Sequence, residues 1–254
     1  MIGNGVKVGV SPPRLPTTLD ACSGQLGIVP TALYTFRGDS DNMTDLTGNG
    51  NTLVATNTPL YDRSVGGHRG ISYASGSAAS HAADVCSAGT DGLRSVVYSG
   101  IFIPGPDSGA NTMLFGRTNA AAQVGVWCSM VGGQNYPSVT VSDVSVSAVT
   151  VNATGIDIRS QRVPVLISVQ VDRANQMCRI RVSSQGKVLT EQSASIAALE
   201  SITTAPPDKQ SFGSGAVLGA LATDCSLVWL MAADGLQCEG ADVLRSIARR
   251  LECE

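Results

Sequence analysis

Alternation of apolar and polar positions dominates the chain. Between residues 163 and 171 the apolar side chains fall at Val163, Val165, Ile167, Val169 and Val171, a period of two. A strand points successive side chains to opposite faces, so this run predicts a strand packed on one side. Cys178, Ile180 and Val182 repeat the pattern and leave Arg179 and Arg181 on the other face. Asp172 to Gln176 suits a hairpin turn between the two runs. Gln185-Gly186 suits the next, because glycine tolerates positive φ. In 123–130, Val124, Val126, Cys128 and Met130 share one face, and Gln123, Trp127 and Ser129 share the other. Between 138 and 151 the phase slips, with Val139 and Val141 on one face and Val144 and Val146 on the other. A turn or bulge near Asp143 accounts for the slip.

Short β runs are predicted at 32–36, 71–75, 95–103, 112–116, 123–130, 138–151, 163–171, 177–183, 187–190, 215–220 and 225–232. Evenly spaced short strands with turn residues between them predict an all-β sandwich or barrel. Residues 1–30 read as an extended arm, because Gly3, Gly5, Gly9, Pro12, Pro13 and Pro16 exclude a helix and disfavour a central strand. One stretch near the end reads as a short helix. There Val243, Leu244, Ile247, Ala248 and Leu251 form a single apolar stripe. Glu239 and Asp242 at its start and Arg245, Arg249 and Arg250 later suit the helix dipole. The domain division that follows is an arm at 1–30 and one sandwich domain at 31–254.

Composition narrows the partners. The 254 residues are 43% hydrophobic and 15% charged, with a net charge of -3, a globular balance. Three lysines and an acidic balance argue against nucleic acid as a partner. No apolar run approaches the ~20 residues of a membrane-spanning helix, so no membrane is expected either. The first eight residues lack the charged start and apolar core of a signal peptide, which predicts a chain kept in a cytosol or released by lysis. None of the seven cysteines forms a C-x-x-C pair, which disfavours zinc. Cys128 and Cys178 lie in strand-like runs and read as reduced core thiols. The odd count leaves one sulfur over in any intrachain pairing, and Cys22 and Cys253, near the ends, are the candidates for an intermolecular link.

The order of motifs resembles a known family. Ala32-Leu-Tyr-Thr-Phe36 followed by Asp45-Leu-Thr-Gly-Asn-Gly-Asn51 resembles the opening of laminin-G-like, concanavalin A-like lectin-glucanase domains. Gly70 to Gly76, Arg94 to Pro104, Val163 to Val171, Cys178 to Val182, Gln185 to Leu189 and Cys225 to Ala232 resemble later strands of that family. Gln185 stands where the family usually has Asn, and the closing strand lacks the family's usual Asp-Glu pair. The resemblance implies a jelly-roll sandwich of two antiparallel sheets, with ligands on a concave face or at rim loops. It does not settle function, since the fold hosts many.

The chemistry-bearing residues are sparse. Glycosidases on such a fold need two carboxylates ~5–10 Å apart, usually from an E-x-D-x-x-E strand. The five glutamates, Glu191, Glu200, Glu239, Glu252 and Glu254, form no such pattern. Two histidines, His68 and His81, sit near no G-x-S-x-G elbow. No catalytic residue is therefore predicted, and the chain is expected not to be an enzyme. Asp39, Asp41 and Asp45 crowd one loop and are candidate oxygen ligands for Ca²⁺, the one cofactor considered, although such residues also form ordinary turns. Trp127 with Gln123 on a polar face, and Tyr136 in the following loop, are candidate ligand-binding residues, because an exposed aromatic stacks on sugars. The first expectation is a structural or decoration protein of a virus particle, a bacteriophage above all. It would sit at the virion surface as a homo-oligomer contacting other coat subunits, with surface glycans as a second partner. The alternative is a carbohydrate-binding lectin module, placed outside the cell.

Overall fold

In the computed structural model, the described residues are 31–35, 44–55, 60–65, 68–72, 79–81, 96–105, 112–119, 124–145, 147–160, 164–184, 187–200, 209–212 and 225–234. The arm at 1–30, the helical stripe at 239–251 and the run at 215–220 lie outside them. The described chain is all-β, with strands β1 (Ala32–Thr35), β2 (Val54–Ala55), β3 (Leu60–Val65), β4 (His68–Ser72), β5 (Ala79–His81), β6 (Val96–Pro104), β7 (Thr112–Asn119), β8 (Val124–Met130), β9 (Pro137–Ser142), β10 (Ala148–Asn152), β11 (Val165–Asp172), β12 (Met177–Ser184), β13 (Lys187–Ser195), β14 (Lys209–Phe212) and β15 (Cys225–Asp234).

These strands form two antiparallel sheets. One has the order β13-β12-β11-β6-β15-β4-β3, with β1 also paired to β15. The other has the order β10-β9-β8-β7-β14-β5-β2. The predicted pairings at the centre are present. Asp172 pairs with Met177 across the first hairpin, and Ser184 with Lys187 across the second. The slip at 138–151 is a complete turn, with Ser142 paired to Ala148. Strands β2, β3, β5 and β14 are additions to the sequence expectation. All four are short, and Pro59 and Gly67 beside β3 and Pro206-Pro207 ahead of β14 break the alternation there.

Side-chain alternation builds the core between the sheets. Val165, Ile167, Val169 and Val171 of β11 and Cys178, Ile180 and Val182 of β12 face Val126, Cys128, Met130, Val139 and Val141 of β8 and β9. Each such side chain contributes about 1.5–3 kcal/mol on full burial. Rings bridge the layers near the middle. Phe115 of β7 lies 6.0 Å from Tyr98 and 5.9 Å from Phe102 of β6, centroid to centroid. The side chains of Cys128 and Cys178 are buried in the core, and burial pushes the thiol of Cys178 up to about 12. At that value it is a protonated apolar filler.

The exposed edges of the two sheets, β13 and β10, come together. The hydroxyl of Thr190 donates to the carbonyl of Thr154, and the amide of Glu200, just past β13, donates to Asp143 Oδ2 in the β9–β10 turn. These bonds tie the two sheets to each other along this side.

Candidate ligand-binding site

Of the three predicted metal ligands only Asp45 is described, and it is the centre of a structural knot. Its Oδ1 accepts from the amides of Leu33 and Thr47, its Oδ2 from the amide of Asn51, and the Thr47 hydroxyl reaches both oxygens. The D-x-x-G-N-G-N segment is built to return to β1. Gly48 and Gly50 take φ of 79°, which only glycine adopts cheaply, and Asn49 and Asn51 donate side-chain amides to the Thr31 carbonyl. Asn51 accepts in turn from the Tyr34 hydroxyl through its backbone carbonyl. Asp45 thus uses both oxygens on its own backbone. Asp39 and Asp41 lie outside the described residues, and among the described residues no group of three His, Cys, Asp or Glu is placed to hold a metal ion.

Of the three predicted ligand residues, Trp127 and Tyr136 are described, and they stand apart. Trp127 stands on the outward side of β8, paired in register with Gly116 and Thr140, but is 7% exposed. Its outward neighbours are closed too: Ser129 and Ser138 are buried and share a hydrogen bond of 3.1 Å. Gly116 explains the tight seat. A Cβ there would come 2.5 Å from the Val126 carbonyl oxygen and 2.6 Å from Trp127 Cα. Tyr136 lies beyond the start of β9, four residues from the Thr140 that pairs with Trp127, or ~13 Å along an extended strand. Gln123 lies outside the described residues. The outward face of β8 and the loop after it are therefore separate places.

The loop at 131–136 is the better-formed of the two. It closes on itself, with the amide of Gln134 donating to Val131 and that of Val131 to Tyr136. A second segment braces it: the amide of Ile158 donates to Asn135, while Arg159 reaches the carbonyls of Gln134 and of Gly105, at the end of β6. Gly133 takes φ of 70°, which lets the chain turn this sharply. The result is a held loop at one end of the sandwich that leaves Gln134 and Asn135 exposed and Tyr136 half-buried. Gln134, Asn135 and Arg159 did not stand out in the sequence. The local signal was the Gly132-Gly133 pair ahead of Gln-Asn-Tyr-Pro, a turn carrying polar side chains.

No protein-family model matches the chain, and no curated protein does. Solved structures do match. One is the binding domain of Paraclostridial Mosquitocidal Protein 1, with a TM-score of 0.54 at 16% identity, over 80% of this chain and 48% of that one. Another is the botulinum neurotoxin serotype D binding domain, with a TM-score of 0.59 at 10% identity, over 91% and 52%. A third is the binding domain of botulinum neurotoxin DC in complex with SialylT, with a TM-score of 0.57 at 9% identity, over 88% and 52%. The chain spans about half the length of these structures. At these identities the likeness is one of fold. It defines a fold class, a two-sheet antiparallel β-sandwich shared with these toxin binding domains. The laminin-G-like, concanavalin A-like resemblance is carried as far as that sandwich and no further.

Proposed function

We propose that this chain is a non-enzymatic, lectin-like binding module that recognises glycans through the braced loop at 131–136. The observation that carries the reading is the pre-held loop, which presents a half-exposed tyrosine beside two exposed amides. Sugars offer the complementary chemistry in alternation: apolar ring faces for stacking and hydroxyls for planar amides. A loop ordered before binding avoids the entropy of ordering it on binding.

The neighbours support a binding role, since they are toxin binding domains rather than virion proteins, and one is in complex with SialylT. The weight therefore moves from the coat component to the lectin-like module. The buried carboxylates also support a role without catalysis. Asp45, Asp143 and Asp172 each accept from backbone amides at a turn, so their oxygens hold structure. Placement outside the cell goes with this reading.

The test is glycan titration by calorimetry with wild type and with Tyr136→Ala. Loss of one stacked ring weakens binding by about 1–3 kcal/mol, borrowing the scale of aromatic stacking on bases. Unfolding midpoints of the two proteins should agree within a few degrees, because Tyr136 sits at the rim. Unchanged glycan affinity in Tyr136→Ala would remove the loop from the site.

A further inference from the structure

The outward face of the larger sheet carries a second feature, away from the 131–136 loop. Arg179 of β12 points outward between the core residues Cys178 and Ile180, and is exposed. Its cross-strand neighbours are Gln170 of β11 and Ser193 of β13. One step along, Arg181 has a different neighbour: Glu191, which it grips through both Nε and Nη2. The same two strands thus give one arginine a carboxylate and the other a hydroxyl. Asp172, on the same face of β11 as Gln170, directs both carboxylate oxygens to Asn175. Among the described residues, no carboxylate pairs with Arg179.

An exposed arginine alone is ordinary, and an exposed ion pair adds only ~0–1 kcal/mol. The row changes the arithmetic. Gln170, Arg179 and Ser193 lie side by side across three paired strands, roughly 4.8 Å apart from strand to strand. That spacing sets a planar cationic fork between an amide and a hydroxyl. A guanidinium matches a carboxylate with two parallel bonds, and the flanking groups match sugar hydroxyls next to it.

We infer that this row is a subsite for a carboxylate-bearing sugar, with Arg179 on the carboxylate and Gln170 and Ser193 on neighbouring hydroxyls. The inference rests on the lectin-like reading in one respect, that the ligand is a glycan. It adds the charge of the sugar and a place distinct from Tyr136.

Calorimetry with three probes tests it: 3′-sialyllactose, lactose and inorganic sulfate, each against wild type, Arg179→Gln and Tyr136→Ala. The expected result is that sialyllactose binds wild type at least about tenfold more tightly than lactose, and that Arg179→Gln removes that difference. Equal affinity of wild type and Arg179→Gln for sialyllactose would overturn the inference, even with lactose binding intact. Sulfate binding as tightly as sialyllactose would also overturn it, by showing a site for small anions rather than for a sugar. Failure of all sugars would overturn the lectin-like reading and this subsite together. Loss of lactose binding in Tyr136→Ala alone would bear on the loop and leave the Arg179 result standing.

Discussion

Asp45, Asp143 and Asp172 each gather backbone donors at a turn, and Asp143 has the most demanding place. It is fully buried and accepts from the amides of Ser145, Ser147 and Glu200 and from the Ser145 hydroxyl. Burial opposes its charge. The Glu200 amide, the Ser145 hydroxyl and the amides of Ser147 and Ser145 together outweigh that and hold its carboxyl below the ordinary 3.8. A carboxyl lowered in the folded state stabilises the fold fully above its unfolded pKa, and that stability is lost as the pH falls through the folded value. The unfolding temperature of wild type should therefore fall below about pH 4, and Asp143→Asn should flatten that acid limb. The variant should also be less stable at neutral pH, because its amide sets a donor against one of the donors that Asp143 accepts. An acid limb of equal steepness in both proteins would assign the pH dependence to other groups.

Two elements test whether the strand geometry is as tightly set as it looks. Gly116→Ala places a methyl 2.5 Å from the Val126 carbonyl oxygen, against backbone that cannot rotate away. It should cost about 1–3 kcal/mol in urea unfolding, as overpacked sites do. A neutral substitution would show that β7 and β8 lie further apart. In the β11–β12 hairpin, Gln176 holds φ of 52°, a left-handed backbone that costs a residue with a Cβ roughly 1 kcal/mol. Gln176→Gly should stabilise by about 0.5–1 kcal/mol, whereas Gln176→Val should destabilise. This hairpin was legible beforehand, since both flanking runs alternate without interruption and Asp-Arg-Ala-Asn-Gln reads as a turn. The β9–β10 turn was legible as a phase slip. Strands β2, β3, β5 and β14 were not, because runs of two to six residues carry too few alternations to count.

The whole molecule is a β-sandwich whose inner faces follow the sequence alternation closely and whose candidate site does not. Core positions declare themselves through period and apolarity. A binding site is a matter of which polar residues end up beside each other, and that depends on contacts remote in sequence. Trp127 shows the difference. Its place on the polar face of β8 was readable, yet the structure leaves it 7% exposed, a value that only the fold could reveal. Tyr136 was readable as a loop aromatic, but its loop is held by Arg159, which donates to Gln134 in the loop and to Gly105, 54 residues away in sequence. Arg179 was readable as outward-facing, while the contrast with Arg181 needed the register of β13.

Glycan-array binding by the labelled chain, followed by calorimetric titration of the best ligand, tests the central claim most directly. The account predicts saturable binding to at least one glycan class by the folded protein, weakened by Tyr136→Ala. No saturable binding to any glycan at millimolar concentration, by a protein that unfolds cooperatively, would contradict it.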